Sequence, residues 1–331
     1  MSILITGGAG YIGSQTNFCM LDAGIDTIVL DNLSKGYSFL LPKESNGRNS
    51  SLFIEGDLSD IEKLRQIFID HREIQGVIHF AGSIEVGESV TNPAKYYQNN
   101  TVNTLNLLNV MNEFNVKNIV FSSTAATYGL PNSVPIHESD FTNPINPYGQ
   151  SKLTVEHILS DYAQAYGMNS VCLRYFNACG ADVQGRTGEC HDPETHLIPI
   201  VIETLRGQRD IMKVYGNNYN TPDGTCVRDY VHTMDLASAH ILAINKLINY
   251  QLKGYNAINL GTARGYSCLE IIKMVEKVTG KQVNYEIAPR RAGDPDVLVA
   301  DNTLAKNILG WELQYSSLEN IITTAWNWAN R

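Results

Sequence analysis

No apolar stretch in this chain approaches the roughly 18 residues that a membrane helix requires. The first residues carry neither a basic segment nor a long apolar core, so the expectation is a soluble, cytoplasmic protein without a signal peptide. Positive charge is also short: 25 Lys and Arg face 34 Asp and Glu, a net charge of -9, which excludes a generally basic nucleic-acid-binding face. A few local arginines could still hold a small anion. Cysteine is sparse, and Cys19, Cys172, Cys179, Cys190, Cys226 and Cys268 form no C-x-x-C pair. Cys190 precedes His191, but no partner cysteine stands at zinc-finger spacing, so the six read as reduced thiols and no metal is expected. Internal repeats and low-complexity segments are absent too. What remains is a chain of 331 residues, 43% hydrophobic, long enough for one large or two ordinary domains with real cores.

Short apolar runs at Ile3–Ile5, Thr27–Leu30, Leu52–Ile54, Val77–Phe80, Ile119–Phe121 and Val171–Tyr175 read as strands. Helix-like periods separate them, as at Ile61–Ile69 and Tyr96–Phe114. That alternation predicts βαβ units and a parallel sheet covered on both faces. From Asn177 to Pro199 the text turns rich in Gly, Pro, Asn, Asp and His, a loop with function to house. Met234–Leu247 and Cys268–Val278 read as helices, and Pro289–Asp296 as a charged turn. The expected division is residues 1–176 and 177–331, with the chain returning to the first unit between Tyr215 and Leu260.

Behind the first strand stands Gly7-Gly8-Ala9-Gly10-Tyr11-Ile12-Gly13, which opens a helix over Tyr11–Ala23. Missing Cβ atoms permit a tight turn and let a pyrophosphate reach the backbone, where the helix start offers free N–H groups. Asp31 and Asn32 follow the second strand; an acid there accepts from ribose hydroxyls and repels a 2′-phosphate, favouring NAD over NADP. Asp57, after the third strand, is a candidate for the adenine end.

In N-P-Y-G-Q-S-K, Asn146 reads as N-cap and Pro147 as first helical residue, which puts Tyr148 in the first turn and Lys152 one turn on. Val155, Ile158, Leu159, Tyr162 and Tyr166 should face inward, with a stop at Gly167. A free tyrosine titrates near 10. The Lys152 ammonium, the helix start and a nicotinamide cation should bring Tyr148 down towards neutrality, as a proton acceptor and donor. Thr124, in F-S-S-T-A-A-T-Y-G at a strand end, could hydrogen-bond the same substrate oxygen.

These motifs, with L-D-N-L-S-K-G, H-F-A-G, Y-Y-Q-N-N, R-Y-F-N-A-C-G-A, T-H-L-I-P-I, P-D-G-T-C-V-R-D-Y-V-H and A-P-R-R-A-G-D in order, resemble the extended short-chain dehydrogenase/reductases, and among them the UDP-glucose (UDP-galactose) 4-epimerases. The resemblance implies an α/β fold: a Rossmann-type doubly wound parallel sheet with a smaller α/β C-terminal substrate domain. It implies a cofactor site from Gly7, Gly10, Tyr11, Ile12, Gly13, Asp31, Asn32, Asp57, Leu58, Phe80, Ala81, Gly82, Asn99, Ser122, Tyr148, Lys152 and Tyr175. Thr124, Tyr148 and Lys152 would be catalytic. The UDP-sugar would meet Thr124, Tyr148, Asn177, His196, Leu197, Tyr215, Arg228, Arg291, Asp294 and Leu298. Arg228 and Arg291 suit a pyrophosphate through charge-assisted bonds. Relatives are commonly dimers, so a homodimer is expected.

Three departures stand out: Thr124 where the family often has Ser, Ile84 where a Lys is common, and Leu298 where several relatives have Tyr. The last leaves room for N-acetylated UDP-hexosamines. The implied reaction is reversible epimerisation at C4 through a 4-keto sugar, with NAD kept bound. Rival readings are a nucleotide-sugar dehydratase or decarboxylase and a dinucleotide-sensing regulator. The first loses ground because Ala125 and Ala126 follow Thr124 where dehydratases show Asp-Glu; the last loses it because Tyr148 and Lys152 are both present.

Overall fold

The computed structural model describes residues 1–42, 50–291 and 293–331. In chain order the elements are β1 (Ser2–Thr6), α1 (Tyr11–Asp22), β2 (Asp26–Asp31), β3 (Ser51–Glu55), α2 (Ile61–Asp70), β4 (Ile74–His79), α3 (Val86–Thr91), α4 (Pro93–Tyr96), α5 (Asn103–Glu113), β5 (Asn118–Thr124), α6 (Pro147–Tyr166), β6 (Asn169–Tyr175), β7 (Asn177–Cys179), α7 (Leu197–Leu205), β8 (Met212–Tyr215), β9 (Val227–His232), α8 (Thr233–Ile248), β10 (Tyr255–Leu260), β11 (Gly265–Ser267), α9 (Cys268–Thr279), β12 (Tyr285–Ala288), β13 (Val297–Leu298) and α10 (Leu318–Ala329).

Seven strands form one parallel sheet in the order β10-β6-β5-β4-β1-β2-β3. Side chains alternate between its faces. Ile3 and Ile5 join Val29, Ile78, Val120 and Leu173 in a core with α8 residues such as Leu236 and Ile244. Leu4 enters the opposite core with Ile28, Val77, Phe121, Leu107 of α5 and Leu159 of α6. Both faces are therefore dry, which is why the strands read as unbroken apolar runs. Each such Leu, Ile or Val contributes roughly 1.5–3 kcal/mol by leaving water.

Strand order reverses between β1 and β4, and this opens a crevice at their carboxyl ends. Gly7, at φ +71°, sits in it: a Cβ there would stand 2.5 Å from the Ala81 nitrogen. Beyond the main sheet, β9 pairs with β7, β11 and β13, and β8 pairs with β12. Helices α7, α9 and α10 cover this layer through Ile198, Val201, Ile271, Ile272 and Ile321. A reciprocal Ser267–Glu270 capping box starts α9, and Gly280 ends it in the left-handed conformation.

The sequence expectations need three corrections. The 96–114 stretch is not one helix: α4 ends at Tyr96, a π-turn spans Tyr97–Val102, and α5 begins at Asn103. Phe80 lies one residue past β4. Tyr166 is 50% exposed, because it is the last residue of α6 and packs edge-on against Tyr162 instead of entering the core. Among the described residues no helix is long and apolar enough to cross a membrane, and all six cysteines are free.

The turn after β1 generates a paired test. A Cβ at Gly13 would meet the Gly7 carbonyl oxygen at 2.2 Å, whereas nothing lies within 4 Å of one at Gly87. Gly13→Ala should cost about 2 kcal/mol or more and lower Tm by several degrees, while Gly87→Ala should leave Tm unchanged or slightly raised. Equal melting temperatures for the two variants in a thermal scan would contradict this account of the turn.

Candidate active site

The carboxyl ends of successive strands deliver the expected residues in order. Gly7 follows β1; Asp31 closes β2 and Asn32 follows it; Asp57 and Leu58 lie just beyond β3; Phe80, Ala81 and Gly82 follow β4; Ser122 and Thr124 end β5; Tyr175 ends β6. Parallel connectivity thus gathers positions spread over 169 residues of sequence onto one edge.

The glycine turn fits a dinucleotide phosphate. Gly10 caps α1 without any side-chain hydrogen bond, and no acidic residue occupies the first turn at Tyr11, Ile12 and Gly13, so N–H groups remain for an anion. The Asp31 carboxylate accepts from the Ala9 N–H at 2.9 Å and the Leu33 N–H at 2.8 Å, fixing strand end to turn. Burial raises its pKa, and those two donors oppose the rise. Asn32 donates to Asp57 at 2.5 Å. Tyr11 itself is buried, with its phenol donating to the Gly180 carbonyl at 2.5 Å, so what it can offer a phosphate is backbone. Phe80 lies against the His240 ring at 4.6 Å between centroids, and the Tyr175 phenol is hydrogen-bonded to His240.

Helix α6 carries the proton-handling candidates. The Asn146 side chain accepts from the Gly149 N–H at 2.8 Å and Pro147 opens the helix, as its sequence requires. Tyr148 is half-buried in the first turn, with its phenol near the Thr124 hydroxyl, which favours the phenolate. Lys152 is 2% exposed and donates from Nζ to the Ser122 carbonyl at 3.0 Å. Burial brings Lys152 down to about 8.

The expected lowering of Tyr148 is not a property of these residues alone. Burial raises its pKa above 10, and the Thr124 hydroxyl only partly opposes this. The Lys152 ammonium is engaged by a backbone carbonyl, and no direct bond joins it to the phenol among the described contacts. A positive charge from outside the chain is therefore needed to make the phenolate accessible.

Sequence reading missed the second anchor of this helix. Glu156, fully buried one turn beyond Lys152, takes a forked bond from Arg174 at 3.1 and 2.6 Å, accepts from Tyr255 at 2.8 Å, and accepts from the Ser123 hydroxyl. Arg174 also donates to Tyr128 at 2.8 Å. Asn100, buried in the π-turn beside Asn99, binds the Ser83 backbone and Ser151. Asn99 reaches the Ser83 hydroxyl at 3.0 Å. A strand-end Ser-Ser-Thr and an Asn-Asn pair were visible in the sequence, but the cross-strand partners were not.

Seven expected substrate residues surround one cavity of about 190 Å³: Asn177, His196, Leu197, Tyr215, Arg228, Arg291 and Asp294. Arg228 pairs with Asp294 at 2.6 Å, and Tyr219 donates to the other oxygen of Asp294 at 2.8 Å. The Arg291 guanidinium stacks on Tyr215 at 4.1 Å and has no carboxylate partner among the described residues. Arg291 and Asp294 also line a wider groove of about 730 Å³ with Leu130, Pro131 and Asn220. Cys226, Tyr230 and Cys268 share the smaller cavity and were not anticipated. Leu298 was expected to shape the sugar pocket; it lies in β13, register-paired with Arg228, and lines neither cavity. His196 contacts Glu189 and Glu194; burial pushes the imidazolium down, but the two carboxylates outweigh it and raise the ring to about 10.

A family model described as GDP-mannose 4,6 dehydratase matches residues 4–324. The UDP-glucose 4-epimerase of Halalkalibacterium halodurans is 51% identical over 328 residues, covering 99% of this chain and 95% of that protein. Among solved structures, the Brucella ovis UDP-glucose 4-epimerase in complex with NAD superposes with a TM-score of 0.93 at 47% identity, covering 98% of this chain and 97% of that one. The Bifidobacterium longum UDP-glucose 4-epimerase in complex with NAD+ and UDP gives 0.91 at 38% identity, covering 100% and 98%.

The Glu156 anchor is open to direct test. Glu156→Ala would leave Arg174 buried without its carboxylate, and should cost about 3–5 kcal/mol. Denaturant unfolding measures this. A cost below about 1 kcal/mol would mean that the pair does not hold α6 in place.

Proposed function

Because the chain belongs to the UDP-glucose 4-epimerases of the extended short-chain dehydrogenase/reductase family, we propose that it interconverts UDP-glucose and UDP-galactose through a 4-keto sugar. The observation that carries this reading is the Tyr148 phenol, near the Thr124 hydroxyl and one helical turn from the buried Lys152. Relatives crystallised with NAD and with UDP support it, as do the uncapped start of α1 and Asp31 at the end of β2. We assign the dinucleotide to residues 1–176 completed by α8 and β10, and the UDP-sugar to the remainder of 177–331.

Bound NAD supplies the hydride acceptor and donor for C4, together with the ring charge that the buried phenol lacks. Tyr148 takes the proton of the sugar 4-hydroxyl and later returns it to the same oxygen on the inverted carbon. Thr124 holds that oxygen by a second hydrogen bond. Lys152, pinned to the Ser122 carbonyl, keeps a cation next to the exchange. Arg291, together with Arg228, whose two terminal nitrogens are held by the Val227 carbonyl and by Asp294, brings positive charge to the pyrophosphate, so most of the binding energy sits on UDP and the hexose stays free to turn over.

A dehydratase reading has no support at the matching place: Ala125–Thr127 form a short 3-10 turn without a carboxylate. Val90, Tyr97 and Val102 are exposed apolar residues of α3 and the π-turn and would suit a homodimer face, and an acidic chain with free cysteines suits the cytoplasm.

Tyr148→Phe should cut conversion of UDP-galactose to UDP-glucose by about 10³-fold or more while leaving Tm within about 1 °C. Epimer separation after incubation reads the first quantity. Undiminished turnover would place the proton acceptor elsewhere.

A further inference from the structure

The loop between β7 and α7 contains Glu189-Cys190-His191-Asp192-Pro193-Glu194-Thr195-His196. Three of its side chains, Glu189, His191 and Glu194, have no part in the reaction described above. With His196 they converge on one point. The His196 Nδ1 stands 2.8 Å from Glu189 Oε1 and 2.9 Å from Glu194 Oε1. The His191 Nδ1 stands 3.0 Å from the same Glu189 oxygen. One donor atom from each of the four residues lies within 4.8 Å of the others.

Charge makes this cluster unusual. The glutamate side chains are only 8% and 4% exposed, and among the described residues neither pairs with a lysine or arginine. One Nδ1–H can satisfy one acceptor, yet two carboxylates crowd the His196 Nδ1. Without a metal, cancelling both carboxylates would take two imidazolium rings whose centroids stand only 5.1 Å apart, which is costly. A divalent cation cancels both.

We propose that Glu189, His191, Glu194 and His196 form a tetrahedral zinc site. Two imidazole nitrogens and two carboxylate oxygens are zinc donors, with bonds of about 2.0–2.2 Å. Tetrahedral ligands at that radius stand about 3.3–3.6 Å apart, a spacing bracketed by the 2.8–3.0 Å contacts and the 4.8 Å limit here. Calcium wants six to eight oxygens and magnesium an octahedral oxygen shell, so nitrogen-rich four-coordination suits neither.

The surroundings already orient the ligands. Glu194 Oε1 accepts from the backbone N–H of Thr195 at 2.7 Å and of His196 at 2.8 Å. The Glu189 carbonyl is held by the Trp328 indole at 2.9 Å, and the Glu194 carbonyl by Arg209 at 3.0 Å. With four protein ligands the ion has a structural role. It ties His191, whose ring is edge-on to Tyr11 in α1, to His196 immediately before the cavity-lining Leu197. Phosphate turn and substrate wall are thereby stapled together. The site stands independently of the catalytic reading.

The test uses the full chain, loaded with zinc and dialysed against metal-free buffer. Elemental analysis should find about one zinc per chain, and cobalt substitution should give the intense visible bands of tetrahedral cobalt. Chelation should lower Tm by about 5 °C or more, with zinc restoring it. His191→Ala should reduce zinc retention by about tenfold or more, while Cys226→Ser, which alters the only close thiol pair among the described residues, should retain it. Zinc below about 0.1 per chain after loading, a weak octahedral cobalt spectrum, a Tm indifferent to zinc and chelator, or loss of zinc in Cys226→Ser would each overturn the proposal. If His191→Ala does not fold, the cobalt spectrum of the unaltered chain decides alone.

Discussion

Two buried charges one helical turn apart fix helix α6 to the sheet. Lys152 binds the Ser122 carbonyl and Glu156 accepts from the neighbouring Ser123 hydroxyl, so adjacent residues of β5 each receive one charge from the helix. Neither contact is interchangeable with an apolar one. An ammonium and a carboxylate taken out of water are tolerable only when each finds its partners, and Arg174, Tyr255 and the strand backbone supply them. The docking sets both the height and the rotation of α6 over β5. Tyr148 then stands near Thr124, the last residue of that strand.

From this constraint the division of labour follows. Burial that makes the docking rigid also disfavours a phenolate, so the protein alone cannot keep Tyr148 ionised at neutral pH. The chain supplies position, and the dinucleotide crevice lies alongside, at the reversal of strand order between β1 and β4. In the proposed reaction, acid–base competence is in this sense conditional on the cofactor: the part of the site that would handle protons is completed by the part that would handle hydride. The cavity proposed for UDP is built differently, from loops, short strands and the start of α7 after residue 176, with stacked or ion-paired arginines. In the proposed reaction a strong grip on the nucleotide and a loose one on the hexose are compatible because separate elements would provide them.

Local features were legible in the sequence, because their causes are local. The glycine turn, the Asn146-Pro147 helix start, the left-handed stop at Gly167 and the two-faced burial of the strands each depend on a few neighbouring residues. What depended on register or distant packing was not. Glu156 and Arg174 meet only because α6 crosses β6, and nothing in either segment names the other. The 96–114 period hid a π-turn, since the switch from i→i+4 to i→i+5 hydrogen bonds is a property of the backbone that no residue type in the segment marks. The pairing of Leu298 with Arg228 through a two-residue strand likewise depends on register that the residues around it do not announce. Tyr148 was expected to be acidified by Lys152, the helix start and a nicotinamide cation together; the burial that opposes them depends on packing between distant segments and has no mark in the sequence.

The central claim is that Tyr148 moves only the oxygen-bound proton, while the carbon-bound hydrogen at C4 leaves and returns without meeting solvent. Conversion of UDP-galactose carrying deuterium at C4, followed by mass and NMR analysis of the UDP-glucose formed, tests it most directly. The account predicts that deuterium stays at C4 through complete equilibration. Its loss to water, or entry of solvent deuterium at C4 in heavy water, would contradict it.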